Sequence, residues 1–280
     1  MRDLKDKVVL ISGAGSGIGA ALAREAARRG AKVAASDVRR EAVEAVREQV
    51  ARDGGAIIAL ELDVTSPDSW RSAADRVERE FGPIDLLCSN AGVGPTMMPL
   101  LELSTDYLRW ILEVNLFGGV NGAQCVGPRM IARGQGHILF TASVAGFASG
   151  GLLSGYNASK HALIAICGSL RDELAGTGVG VSALCPAAVA TGLMDTTVAV
   201  MPKAMAQSLA APPRDDAQSR IADLADTSGG MMSAEEAARR ALDGVLADEF
   251  YIFTHLDSRA MTMARAEEVQ QVFDRMAERR

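Results

Sequence analysis

Tyr156 and Lys160 stand four residues apart in YNASK. On a helix that spacing puts both side chains on one face, within reach of one ligand. A tyrosine titrates near ~10, too high for efficient proton exchange at neutral pH. An ammonium ~4 Å away, at an effective dielectric of ~20, attracts the phenolate by ~4 kcal/mol. That is enough, as a ceiling, to lower the phenol pKa by about three. Such a tyrosine could take a proton from an alcohol as phenolate, or give one to a carbonyl oxygen as phenol. Ser143, in FTASVAG, precedes it by thirteen residues. Its hydroxyl could donate to the same oxygen and hold it in place.

A second constellation lies near the start. SGAGSGIG carries Gly13, Gly15, Gly17 and Gly19, a poor strand and a poor helix interior. It follows the apolar run KVVLIS and opens a helical pattern, where a dinucleotide pyrophosphate needs close backbone approach and the positive end of a helix. Two registers fit. Gly15, Gly17 and Ala20 read as GxGxxA; Gly13, Gly17 and Gly19 read as GxxxGxG. Asp37 closes the next apolar run, in AASDVRR. A carboxylate there accepts from ribose hydroxyls and repels a 2′-phosphate, favouring NAD over NADP. Arg39 and Arg40 keep NADP as the alternative.

These groups need elements to position them. Strands are expected at 7–12, 32–37, 56–62, 84–89, 136–142, 179–185 and 250–254. Most are continuous apolar runs, the pattern of strands covered on both faces. Helices are expected between them at 17–29, 40–53, 67–81, 104–132, 154–176 and 233–247. Thr65-Ser66-Pro67 opens one of these with a capping hydroxyl and a first-turn proline. The alternation predicts an α/β fold: a Rossmann-type, doubly wound, seven-stranded parallel sheet with helices on both faces. Residues 1–280 read as one dinucleotide-binding and catalytic domain. Residues 192–232, with Met194, Met201, Met205, Met231, Met232, Pro212-Pro213 and Gly229-Gly230, form an insertion. Residues 257–280 add a charged C-terminal helix.

Composition narrows the function classes. The chain has 280 residues, 48% of them hydrophobic, and a net charge of −6. The charge and the lack of a basic stripe argue against a nucleic-acid partner. No apolar run reaches the ~18–20 residues that span a bilayer, and the charged start lacks a secretory signal's apolar middle. A cytoplasmic protein is expected. Cys88, Cys125, Cys167 and Cys185 are far apart and form no CxxC pair. They read as reduced, packed cysteines, and no metal site is expected.

Taken together, the glycine turn, YNASK and the motifs between them resemble the short-chain dehydrogenase/reductase (SDR) family. The resemblance covers roughly residues 5–254. The family's turn reads TGxxxGxG, and Ser12 stands at its threonine. The resemblance assigns the turn residues Gly13, Ser16, Gly17, Ile18 and Gly19 to the cofactor, with Asp37 at the adenosine ribose. Asp63-Val64, in LELDVT, would border the adenine. CSNAG is similar to NNAG, and Asn90, Ala91 and Gly92 carry over. Asn115, in VNLFG, completes an Asn–Ser–Tyr–Lys tetrad with Ser143, Tyr156 and Lys160. In it Asn115 would support a water linking Lys160 to solvent, and Lys160 would also donate to the nicotinamide ribose.

CPAAVAT stands where the family reads PGxVxT. Pro186, Val189 and Thr191 would meet the carboxamide, while Ala187 replaces a glycine and would be strained if that position needs positive φ. The methionine-rich insertion falls at the family's substrate lid. Met97 and Met194, with Ser143 and Tyr156, are candidate substrate contacts, and adaptable thioethers suit a bulky apolar alcohol or ketone. His255 reads as a capped structural histidine at the last strand. The family implies a homodimer or homotetramer. The reading is therefore an NAD-dependent secondary-alcohol dehydrogenase or ketone reductase. The alternatives are an NADP-dependent carbonyl reductase and a cofactor-binding scaffold or sensor without turnover. A sugar-nucleotide epimerase is disfavoured, because its branch carries TGxxGxxG.

Overall fold

A computed structural model describes residues 1–208 and 230–279. Seven parallel strands form the central sheet: β1 (Val8–Ser12), β2 (Lys32–Asp37), β3 (Ala56–Glu61), β4 (Leu86–Ser89), β5 (Gly136–Thr141), β6 (Val179–Cys185) and β9 (Tyr251–Phe253). Their order is β3-β2-β1-β4-β5-β6-β9. A separate two-residue pair, β7 (Val189–Ala190) with β8 (Met232–Ser233), was not expected; it ties the segment after β6 to residues 232–233. The strand order reverses between β1 and β4. In open α/β sheets the ligand crevice lies outside the carboxyl ends of the strands at such a point.

The apolar runs fill two cores because alternate strand residues face opposite sides. Val9, Ile11, Val33 and Cys88 pack with Leu22, Val43 and Leu242 from α1 (Gly17–Arg28), α2 (Arg40–Arg52) and α9 (Ala234–Leu246). Leu10, Leu87 and Phe140 pack with Trp70, Val126 and Leu163 from α3 (Pro67–Phe81), α5 (Gly118–Arg133) and α6 (Ser154–Glu173). The expected opening of α3 is present: Ser66 accepts from the Ser69 amide, with Pro67 in the first turn.

The expected single helix over 104–132 is instead three pieces. α4 (Thr105–Leu112) passes through a π-helical turn (Glu113–Phe117) into α5. Such turns recur at functional sites, and Asn115 is the buried residue of this one. The insertion begins with α7 (Leu193–Val200) and α8 (Lys203–Ser208). Pro212-Pro213, Gly229 and the rest of 209–229 lie outside the described residues, as does Arg280. The C-terminal helix is α10 (Arg259–Glu278), and none of its residues is buried. Among the described residues, no helix is long and apolar enough to cross a membrane.

Candidate active site

The turn after β1 is built on backbone contact. Gly13 has φ +66°, and a Cβ there would lie 2.7 Å from Ala91 Cα. A Cβ on Gly19 would lie 2.1 Å from the Gly13 carbonyl oxygen. Gly13 and Gly19 thus pack backbone on backbone, a pairing that GxxxGxG contains and GxGxxA lacks. Ser16 precedes α1 without a side-chain hydrogen bond to the first-turn amides. The helix therefore starts without a side-chain cap. Asp37 holds the turn from β2: its Oδ2 accepts from Gly15 N at 2.9 Å and its Oδ1 from Arg39 N at 2.9 Å. Arg39 folds back over this carboxylate, Nε to Oδ1 at 3.4 Å, and its guanidinium donates to Ser16 Oγ at 3.3 Å.

Three strand ends are laced together beside the turn. Ser12 Oγ accepts from the amides of Asn90 and Ala91 at 3.0 and 3.1 Å. That explains a hydroxyl at position 12. Asn90 Nδ2 donates to the carbonyls of Ser12 and Gly13, and Asn90 Oδ1 accepts from Thr141 Oγ1 at 3.0 Å. Asn90 lines the cleft, but its side chain is engaged in holding β1, β4 and β5 together. Asp63 Oδ1 accepts from the amide and hydroxyl of Thr65, and the Val64 carbonyl accepts from Trp70 Nε1 and Asn121 Nδ2.

The chemistry-bearing residues meet at the ends of β5 and α6. Ser143 stands beside the Tyr156 phenol, and its hydroxyl donates to the Pro186 carbonyl at 3.3 Å. Lys160 is buried, donates from Nζ to the Thr141 carbonyl at 2.9 Å, and lies 5.7 Å from the centre of the Tyr156 ring. Burial holds the Lys160 ammonium down at about 8. Burial also pushes the Tyr156 phenol up from its ordinary value, partly offset by the Ser143 hydroxyl beside it. This corrects the expectation of a lowered phenol pKa. In the protein alone, desolvation of the phenolate outweighs the help it receives.

Asn115 is held by protein on both side-chain atoms. Its Oδ1 accepts from Val93 N at 2.7 Å, and its Nδ2 donates to Val93 O and Ser159 Oγ. Both side-chain donors are occupied by protein, so Asn115 braces the 92–94 backbone. Gly92 separates the two: a Cβ there would lie 3.2 Å from Asn115 Oδ1 and 3.7 Å from Lys160 Nζ.

One cleft of about 600 Å³ collects these features. It is lined by Gly13, Ser16, Gly17 and Ile18, by Asp37, Asp63 and Val64, and by Asn90, Ala91 and Gly92. Ser143, Tyr156, Lys160, Pro186, Val189 and Thr191 line it too. Gly19 and Asn115 are absent from the lining and support it from behind. Met97 and Met194 are also absent from the lining. Met97 is buried, and Met194 is 37% exposed. On α7 the residues that share a cleft-facing side are Leu193, Thr196 and Val200, at helical spacing, and position 194 falls off that side. The i, i+3, i+7 spacing was the available signal.

Trp110 and Val114 join the lining from the α4–π-turn stretch. With Val200, Met201, Met205 and Tyr156 they pack on the buried trio Val93, Tyr107 and Ile111. The phenol therefore borders an apolar wall that includes two of the insertion's methionines.

Two further expectations resolve. Ala187 is not among the residues with positive φ, so the alanine is unstrained in that respect. Its amide donates to Thr254 Oγ1 at 3.2 Å. His255 is buried, with Nδ1 2.7 Å from Thr254 Oγ1. Burial lowers its pKa, as does the neighbouring Arg240, and it does not line the cleft.

A parallel sheet with this strand order, a glycine turn at its reversal point and a Ser–Tyr–Lys group across the cleft define a dinucleotide-type oxidoreductase fold. The chain belongs to the short chain dehydrogenase family, whose model matches residues 7–201. It is 37% identical over 258 residues to the 1-deoxy-11-beta-hydroxypentalenate dehydrogenase of Streptomyces exfoliatus, covering 91% of this chain and 86% of the relative. Among solved structures it is similar to a short chain dehydrogenase/reductase from Burkholderia phymatum in complex with NAD. That match has TM-score 0.88 and 33% identity, with 97% and 96% of the two chains covered. It is also similar to a 7α-hydroxysteroid dehydrogenase complexed with NADH and 7-oxo glycochenodeoxycholic acid, with TM-score 0.75 and 25% identity over 90% and 93% of the chains.

Proposed function

We propose that this protein is an NAD-dependent oxidoreductase acting on a secondary alcohol or ketone with a largely apolar body. The observation that carries the reading is convergence: one cleft joins the glycine turn and Asp37 to Ser143, Tyr156 and Lys160. The residues present fit a dinucleotide. A start of α1 without a side-chain cap suits a pyrophosphate, and the Gly13–Gly19 contact leaves no room for a Cβ. The carboxylate of Asp37 suits ribose hydroxyls. Lys160 would hold the nicotinamide ribose, and Val189 and Thr191 the carboxamide.

The cofactor would supply the hydride acceptor or donor. The remaining work falls to this chain. Ser143 fixes the substrate oxygen by hydrogen bonding. Tyr156 moves a proton at that oxygen: the phenol gives it in reduction and the phenolate takes it in oxidation. With its pKa raised by burial, the phenol form prevails at neutral pH, so the protein alone is poised as an acid. Lys160, next to the ring, stabilises the phenolate. A positive charge from an oxidised nicotinamide would act in the same direction. The apolar wall of Trp110, Val114 and Val200 favours a hydrophobic substrate body. The hydroxypentalenate and hydroxysteroid enzymes among its relatives agree with that class.

A second reading, NADP dependence, rests on Arg39, whose guanidinium lines the same cleft beside Asp37. Fluorescence titration with NADH and NADPH separates the two. Turnover of a panel of alicyclic secondary alcohols with NAD tests the whole reading, and activity confined to small polar polyols would sink it. Tyr156→Phe is expected to cut kcat by at least ~100-fold, the scale of a positioned proton donor, with NADH affinity within about twofold of wild type. A phenylalanine variant that keeps most of its rate excludes Tyr156 as the proton carrier.

A further inference from the structure

The peptide Val93–Gly94 belongs to no strand or helix, yet all four of its backbone polar groups are taken by side chains. Asn115 holds the amide and carbonyl of Val93 at 2.7 and 3.0 Å. Tyr107, from α4, donates its hydroxyl to the Gly94 carbonyl at 3.1 Å. Thr197, from α7, accepts from the Gly94 amide at 2.7 Å. Three elements thus close on one peptide, and buried backbone groups require such partners.

The Thr197 hydroxyl has one proton, and it goes to the Leu193 carbonyl one turn back, at 2.7 Å. The oxygen is therefore oriented as an acceptor toward Gly94 before α7 seats. Thr197 is 3% exposed, while Val198 beside it is 67% exposed. The buried side of α7 is the side that carries this bond. Leu193, Thr196 and Val200, the residues α7 presents to the cleft, are fixed in place only while the helix is seated.

We propose that Thr197 is a positioning residue that latches α7 onto the Val93–Gly94 peptide, and through that peptide couples the substrate-side wall of the cleft to Asn115. This deepens the oxidoreductase reading and rests on it only for the consequence in catalysis. The latch itself is a physical contact that can be tested without turnover.

The test is hydrogen–deuterium exchange on the full chain, comparing wild type, Thr197→Val and Thr197→Ser. Valine keeps the shape of threonine and removes the acceptor; serine keeps the acceptor. In Thr197→Val, segments 90–98 and 193–201 are expected to exchange about tenfold faster or more, the effect of losing a buried hydrogen bond. Exchange in β1 and β5 should not change, and NADH affinity should stay within about twofold. Thr197→Ser should restore protection to both segments. Unchanged exchange in 193–201 for the valine variant overturns the latch. So does a serine variant as exposed as valine, or a parallel loss of NADH affinity, which marks general unfolding. With 2-decalol as probe alcohol, the valine variant should raise KM about tenfold and change kcat less than threefold. Failure of the wild type to oxidise any secondary alcohol refutes the oxidoreductase reading and leaves the exchange result standing by itself.

Discussion

Replacing Asp37 with asparagine separates charge from shape at the end of β2. Asparagine can keep an oxygen facing Gly15 N or Arg39 N, the two amides now held by the carboxylate at 2.9 Å each, so the turn should survive. What disappears is the negative charge. The Asp37 side chain is only 8% exposed, so solvent screens it weakly. A 2′-phosphate charge about 5 Å away, at an effective dielectric of about 20, is repelled by about 3 kcal/mol. Removing that repulsion is worth about 100-fold in affinity for the phosphorylated dinucleotide. Arg39 adds to the change. It is now paired to the carboxylate at 3.4 Å, and losing that partner frees it for a phosphate. NADH should weaken by roughly tenfold, the loss of a charge-assisted hydrogen bond. The assay is fluorescence titration of the purified protein with NADH and NADPH at low and high salt. The ratio of the two affinities should move toward NADPH by about 1000-fold at low salt, the gain for NADPH times the loss for NADH, and by less at high salt. A ratio that moves less than about threefold refutes the electrostatic account of Asp37.

Two other outcomes follow from the geometry. Gly19→Ala places a Cβ against a fixed backbone carbonyl at 2.1 Å; cofactor affinity should fall by about tenfold or more because the turn must open, and an unchanged NADH titration contradicts that packing. Lys160 titrates at about 8 in the folded protein against an ordinary 10.5, so between those values the unfolded chain binds the extra proton and stability rises with pH. Urea unfolding of cofactor-free wild type should gain up to about 3 kcal/mol from pH 8 to 10.5 relative to Lys160→Met, and parallel curves for the two proteins contradict a buried ammonium.

Much of the fold could be read because its strands are buried on both faces. Continuous apolar runs gave β2 (Lys32–Asp37) and β6 (Val179–Cys185) with their boundaries, and the Ser66-Pro67 signal gave the start of α3. The break at Glu113–Phe117 could not be read. A π turn inserts one residue and shifts the phase of the apolar face that follows, but the segment stays continuously helical and no proline marks the turn. The methionines show a related limit of composition. Thioether content identifies an adaptable segment, while the side of α7 that meets the cleft is set by helical phase and carries Leu193, Thr196 and Val200. The roles of Asn90 and Asn115 were hidden because both bind backbone that is distant in sequence, Ser12–Gly13 and Val93. The phenol pKa was misjudged because charge attraction can be guessed from spacing, whereas desolvation depends on three-dimensional burial.

The strand order has a consequence for how the protein is made. β1 precedes the sheet's other strands in the chain, yet it ends in the interior of the sheet, flanked by β2 and β4. Its pairing with β4 sets Val9 opposite Leu86, a separation of 77 residues by their numbers. At translation speeds of roughly 5–20 residues per second, that flank stays open for roughly 4–15 s. During that interval the nascent chain displays VVLI, a short β-prone apolar segment without charge, of the kind that recruits foreign strands. Slowed elongation between the codons of β1 and those of β4 should therefore lower soluble yield more than the same delay placed after β4 is complete.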